Sequence, residues 1–193
     1  MRKLTSFQFL TLNGFFSDAT GNTSWSSQGD EQRDFALDKM EAEHILLFGR
    51  KTYEHMINWW PTEAARKADP EMAAGMNNAE KIVFSNKLKK AEWQNTRIVS
   101  GDIIEEVRRL KNTPGKNLAL LGSGSILTQF AENHLIDELE LMMNPIAIGD
   151  GHTLFGGLKK EIPLQLLSTK AFHNGVVLLK YIPAKLHYPE EGR

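Results

Sequence analysis

The sequence contains no cysteine. Disulfides, thiolate zinc sites and a cysteine nucleophile are excluded, and the chain suits a reducing compartment, so a cytoplasmic location is expected. A charge excess is also missing. The 23 Lys and Arg against 24 Asp and Glu leave a net charge of −1, so bulk electrostatics point to neither nucleic acid nor a membrane surface. No apolar run approaches the ~20 residues that a membrane-spanning helix requires. Met1-Arg2-Lys3-Leu4 opens with basic residues, but no long apolar stretch or small-residue cleavage site follows, so no signal peptide is expected. The six histidines have no HExxH or other ligand spacing, and no metal site is expected. There is no P-loop and no Gly-x-Ser-x-Gly elbow; Gly122-Ser123-Gly124-Ser125-Ile126 misses the elbow at its fifth position.

What is present is alternation. Leu4 to Leu12, Ile45 to Phe48, Lys81 to Lys87, Arg97 to Val99 and Leu118 to Leu121 read as strands. Several are unbroken apolar runs, as expected of strands buried on both faces of a parallel sheet. Helical spacing follows in Glu31 to Ala42, in a short helix ending near Ile57-Asn58, in Ile103 to Lys111, and from Ile126 through Phe130 and Ala131. Ser27-Gln28-Gly29-Asp30 resembles an N-cap for the first of these. Asp137 to Met143 is a further strand. Leu164 to Ala171 and Val176 to Tyr181 flank Asn174-Gly175, a pair that favours a hairpin. A mostly parallel sheet with helices on both faces and an antiparallel end follows. One domain over residues 1–183 is expected, with a peripheral polar tail at 184–193. Thr62 to Glu80 is polar, helix-prone and alanine-rich, with Pro70 starting a possible helical turn, and looks like an insertion or lid.

Ligands of such sheets sit beyond the carboxyl ends of the strands. Three turns there suit an anion. Gly122-Ser123-Gly124-Ser125, with Ile126 and Leu127 opening the helix, reads either as a pyrophosphate cradle at a helix N-terminus or as a plain turn capped by Ser123 or Ser125. Gly49-Arg50-Lys51-Thr52 puts two cations at the positive end of a helix, which favours an anion between them; the alternative is a solvated basic turn capped by Thr52. Ser85-Asn86-Lys87 ends its strand in polar and basic residues. Trp25 stands in a polar loop and either anchors that loop to the core or closes over a flat ligand. Asp34, early in a helix, either relays a proton to a heterocyclic nitrogen or simply complements the helix dipole. Trp59-Trp60 suits a pocket mouth, a dimer face or simple packing.

Five segments in register resemble the dihydrofolate reductase superfamily, and more closely its riboflavin-biosynthesis reductase branch, the RibD C-terminal domain. They are Thr11-Leu12-Asn13-Gly14, Gly21-Asn22-Thr23-Ser24-Trp25 through Arg33-Asp34, Leu47-Phe48-Gly49-Arg50-Lys51-Thr52-Tyr53-Glu54, Leu121 through Leu127, and Asn144-Pro145 with Gly149 through Phe155. The resemblance implies a three-layer dihydrofolate reductase-like fold and an NADPH-dependent reductase, as a homodimer, acting on a pterin, a riboflavin-pathway pyrimidine or a related carbonyl. It implies that Gly49, Arg50, Lys51 and Thr52 hold cofactor phosphates, that Ser85, Asn86 and Lys87 lie near the adenosine 2′-phosphate, and that Gly122 to Leu127 cradle the pyrophosphate. Asp34 and Trp25 take catalytic places, and Asn13, Trp25 and Arg33 substrate places. Three departures stand out. Asn13 replaces an Asp, serines occupy positions 123 and 125 of the glycine turn, and no deaminase half precedes the domain, so a monofunctional protein is expected. The rival expectation is a non-catalytic nucleotide- or pterin-binding module of the same fold; a hydrolase is disfavoured because no nucleophile–base pair is visible.

Overall fold

All five residues of Ile45–Gly49 and all four of Lys81–Phe84 are buried, because each strand has helices on both sides. A computed structural model describes residues 1–26 and 29–184. The elements begin with β1 (Leu4–Thr11), β2 (Phe15–Asp18), α1 (Asp30–Glu41), β3 (Ile45–Gly49) and α2 (Arg50–Ile57). Next come α3 (Glu63–Ala68), α4 (Pro70–Asn78), β4 (Lys81–Phe84), β5 (Thr96–Val99) and α5 (Ile103–Asn112). The chain continues with β6 (Leu118–Leu121), α6 (Gly124–Glu132), β7 (Glu138–Asn144), β8 (Gly151–Thr153), β9 (Leu164–Ala171) and β10 (Val177–Pro183).

Eight strands form one sheet in the order β5-β4-β3-β6-β1-β7-β10-β9. The pairs from β5 to β7 are parallel, whereas β10 runs antiparallel to both β7 and β9. This is the dihydrofolate reductase-like arrangement. Alternate side chains of a strand face opposite layers. Ile45 and Leu47 of β3 join Val107 and Leu110 of α5 and Leu127 and Phe130 of α6. Leu46 and Phe48 join Tyr53 of α2, Met72 and Met76 of α4, and Leu37 and Met40 of α1. Each fully buried side chain of this size contributes about 1.5–3 kcal/mol of transfer free energy.

Four local expectations change. Thr62 to Glu80 is no lid: it folds as α3 and α4, and Met72, Ala73 and Met76 enter the core. Asp69 caps α4 through its carboxylate, and Pro70 occupies the first turn, where its missing N–H costs nothing. Phe15 to Asp18, which the sequence reads only as leading to the polar loop at 19–27, is a strand, pairing with β8 in a second, two-stranded sheet. The caps also differ. Ser27 and Gln28 lie outside the described residues; α1 opens after Gly29, whose N–H donates to the Gln32 side chain at 3.0 Å. Gly49, not Thr52, is the N-cap of α2. The tail from residue 185 lies outside the described residues.

Candidate active site

Parallel pairing sets the site. Gly49 of β3 lies opposite Phe84 of β4, and Phe84 opposite Val99 of β5. Leu121 of β6 lies opposite Phe7 of β1. The residues that follow, Arg50, Ser85 and Gly122, therefore leave the sheet along one edge. The three anion-suited turns, far apart in sequence, are neighbours in space.

The β6–α6 turn is built by two successive residues with left-handed backbone. Gly122 has φ +57°, and Ser123, the N-cap of α6, has φ +65° and ψ 59°. From beneath, the buried Gln8 side chain of β1 donates to the Gly122 carbonyl at 2.9 Å and to the Ser6 hydroxyl at 2.8 Å. The Gly122 N–H donates to the Phe7 carbonyl at 3.3 Å. Gly124 is a glycine for want of space: a Cβ there would lie 2.8 Å from Phe16 Cε1 and 3.3 Å from the Leu154 carbonyl oxygen. Thus β2 and the segment after β8 pack directly against the turn. The N–H groups of Ile126 and Leu127 both donate to the Ser123 carbonyl, at 2.9 and 3.0 Å, and their side chains lie in the core. Gly124 and Ser125 remain as first-turn donors, which a helix cannot satisfy internally.

The β3–α2 turn is joined to it. The Gly49 N–H donates to Ser123 Oγ at 2.7 Å, and Ser123 Oγ donates to Thr52 Oγ1 at 2.8 Å. Arg50 makes two bonds to the Glu54 carboxylate, at 2.8 and 2.7 Å, so its cation has an internal partner one helical turn away. Lys51 and Lys87 are exposed and have no ion-pair partner among the described residues. Ser85 Oγ accepts the Lys87 and Leu88 N–H groups, at 3.1 and 2.9 Å, and Asn86 Oδ1 accepts the Gly101 N–H at 2.9 Å. These two side chains shape the β4 turn.

The residues expected on the substrate side are spread more widely. Arg33 is held by Asp69 at 2.7 and 2.9 Å and by Glu71 at 2.7 Å, tying α1 to the start of α4. The Asp69 and then the Glu71 carboxylate raise the Arg33 pKa further, and Arg33 in turn lowers that of Asp69. Asp34 is 74 % exposed, with the Arg33 guanidinium 3.9 Å away. Asn13 bonds Thr11 Oγ1 at 2.9 Å and both polar backbone groups of Ile148, pinning the end of β1 to the segment after β7. Trp25 is half-buried, and its indole N–H is buried with no hydrogen-bond acceptor among the described residues. Trp60 donates to Met56 Sδ at 3.2 Å, while Trp59 is exposed. Among the described residues, no group of three or more His, Asp or Glu could hold a metal ion, and no helix is long and apolar enough to cross a membrane.

Gln8 and Phe16 carry the glycine turn yet escaped the sequence analysis. For Gln8 a signal existed: an amide in the middle of the apolar run Phe7-Gln8-Phe9-Leu10 must find buried partners. Phe16 had none, since its contact with Gly124 is purely tertiary.

Known proteins share this architecture. The chain is 30% identical over 172 residues to the uncharacterized protein YyaP of Bacillus subtilis (strain 168), covering 89% of this chain and 90% of that protein. Among solved structures, a Shewanella sp. PV-4 protein ascribed to riboflavin biosynthesis superposes with a TM-score of 0.74 at 20% identity, over 96% of this chain and 100% of that one. A diaminohydroxyphosphoribosylaminopyrimidine deaminase/5-amino-6-(5-phosphoribosylamino)uracil reductase of Thermotoga maritima superposes with a TM-score of 0.68 at 16% identity, over 95% of this chain and 57% of that one. At such identities the structural likeness speaks for the fold. The family model for the RibD C-terminal domain matches residues 2–178, and the chain belongs to that family.

Proposed function

We propose that the protein is an NADPH-dependent reductase that delivers hydride to a small nitrogen heterocycle of the pterin or riboflavin-pathway pyrimidine kind, or to a related carbonyl. The single observation behind this reading is the convergence of the β3, β4 and β6 turns on one sheet edge. The residues present fit such a cofactor. Gly124 and Ser125 offer first-turn N–H groups, and Lys51 and Lys87 are exposed cations with no ion-pair partner among the described residues. When bound, NADPH supplies the hydride.

In this reading the Gly122–Ser125 backbone orients the pyrophosphate, Arg50, Lys51 and Thr52 face the same phosphates, and Lys87 answers the 2′-phosphate from a turn shaped by Ser85 and Asn86. The Trp25 indole N–H, a buried donor without an acceptor among the described residues, would be satisfied by a substrate oxygen or nitrogen. Asp34 holds the proton delivered to the substrate, Arg33 lies beside it, and Asn13 sets the position of the neighbouring loop. A cytoplasmic location agrees with the lack of cysteine. A second copy of the chain is the proposed partner. The β5 edge is only four residues long, and its Arg97 is tied to Glu106, whereas the β9 edge has eight residues, one charge and two half-exposed leucines, Leu166 and Leu167. Long, neutral edges pair readily.

Titration with NADPH, followed by protein fluorescence, tests the reading: absence of binding removes it. NADPH oxidation with dihydrofolate, dihydropterins and the riboflavin pyrimidine intermediate then tests the substrate class. The second reading, a binding module without turnover, draws on the exposure of Asp34 and the prior engagement of Arg33. Asp34→Asn separates the two. A working proton donor should cost roughly 10²–10⁴-fold in turnover at unchanged NADPH affinity. Unchanged turnover takes that role from Asp34, and NADPH binding with no oxidation of any substrate favours the module.

A further inference from the structure

The two phosphate-suited turns belong to separate strand–helix units, and one hydroxyl lies between them. Ser123 Oγ accepts the Gly49 N–H at 2.7 Å and donates to Thr52 Oγ1 at 2.8 Å, so its single proton and a lone pair are both used. Gly49 makes room for it: a Cβ on Gly49 would lie 3.1 Å from that oxygen and 3.3 Å from Ser123 Cβ. The backbone of Ser123, at φ +65° and ψ 59°, is one that glycine takes freely and L side chains seldom adopt. Backbone preference alone would therefore put glycine at 123. What serine adds is the bridge, which fastens the first residues of α2 to those of α6.

We propose that Ser123 is a positioning residue that welds the two turns into one preorganised clamp for the diphosphate of a dinucleotide. The role rests on the reductase reading. The bridge also withdraws the Gly49 N–H from any ligand, so the backbone contacts to the diphosphate fall to Gly124 and Ser125. Rigid docking of α2 against α6 reduces the ordering that binding would otherwise require.

Two measurements test this. In the free protein, the Gly49 amide should exchange slowly with solvent deuterium, and Ser123→Gly should make it fast. Equal exchange in both proteins overturns the bridge whatever the ligand. In the ligand arm, Ser123→Gly should weaken NADPH binding roughly three- to tenfold, with a melting temperature at or above wild type because the backbone strain is released. Ser123→Ala, which keeps the strain and loses the bridge, should lower both affinity and melting temperature. If wild type binds NADPH and Ser123→Gly binds it equally well, the positioning role falls and the reductase reading stands. If wild type binds no NADPH, both fall together.

Discussion

The Gln8 amide nitrogen sits 2.9 Å below the Gly122 carbonyl and holds the peptide that opens the glycine turn. Both residues are far from each other in sequence, and Gln8 is buried. Gln8→Leu would leave the Gly122 carbonyl and the Ser6 hydroxyl without that donor. We expect a loss of about 1–3 kcal/mol in unfolding free energy from urea titration. NADPH affinity should fall with it, because the turn above is no longer held.

Lys81 places its ammonium 4.6 Å from the centre of the Trp93 ring and donates to the Asn77 and Ala79 carbonyls, at 3.1 and 2.5 Å, with no carboxylate partner among the described residues. Burial pushes its pKa down from 10.5 to about 8. Between those values the unfolded chain holds the proton more tightly than the folded one, so stability rises with pH through this window. A gain on the order of 1–3 kcal/mol is expected. Urea midpoints from pH 7 to 10.5, compared with Lys81→Met, isolate the effect: the rise should vanish in the variant.

Asp69 does two jobs, accepting the Met72 N–H at the start of α4 and the Arg33 guanidinium from α1. Asp69→Ala should cost about 1–2 kcal/mol, most of it the lost cap, since Arg33 is partly exposed. The hydrogen bonds from Arg33 lower the Asp69 pKa from its ordinary 3.8. Its contribution is complete above that value and is lost as pH falls through the lower folded one. Acid titration of stability in Asp69→Ala should therefore lack this component.

Leu167, half-exposed on the β9 edge, is the position at which to test self-association. Leu167→Lys adds a charge to an otherwise nearly neutral edge strand. Sedimentation velocity should show a dimer for wild type and a shift to monomer for the variant, with an unchanged circular dichroism spectrum. A wild type that stays monomeric across concentrations removes the dimer proposal.

Expectation and structure part company at particular residues. Pro70, expected to start a possible helical turn, opens a full helix, and Met72 and Met76 find apolar partners on β3 and β4. Arg50 and Lys51 looked alike beside a helix start; the structure gives Glu54 to Arg50 and leaves Lys51 exposed. Ile126 and Leu127 fell within the expected cradle, but their side chains pack into the core and their N–H groups close the turn.

Periodicity is local, and so the chain alone determined what local chemistry dictates: the succession of buried strands and helices, the hairpin at Asn174-Gly175, and the glycine turn between β6 and α6. Where each polar group finds its partner was decided only by the tertiary structure. Gly49 meets Ser123 across 74 residues, Gln8 meets Gly122 across 114 and Arg33 meets Asp69 across 36. No pattern within a strand or helix encodes such pairings: the first two arise when the sheet order brings β1, β3 and β6 side by side and the buried donors must then be satisfied, and the third when α1 packs against α4.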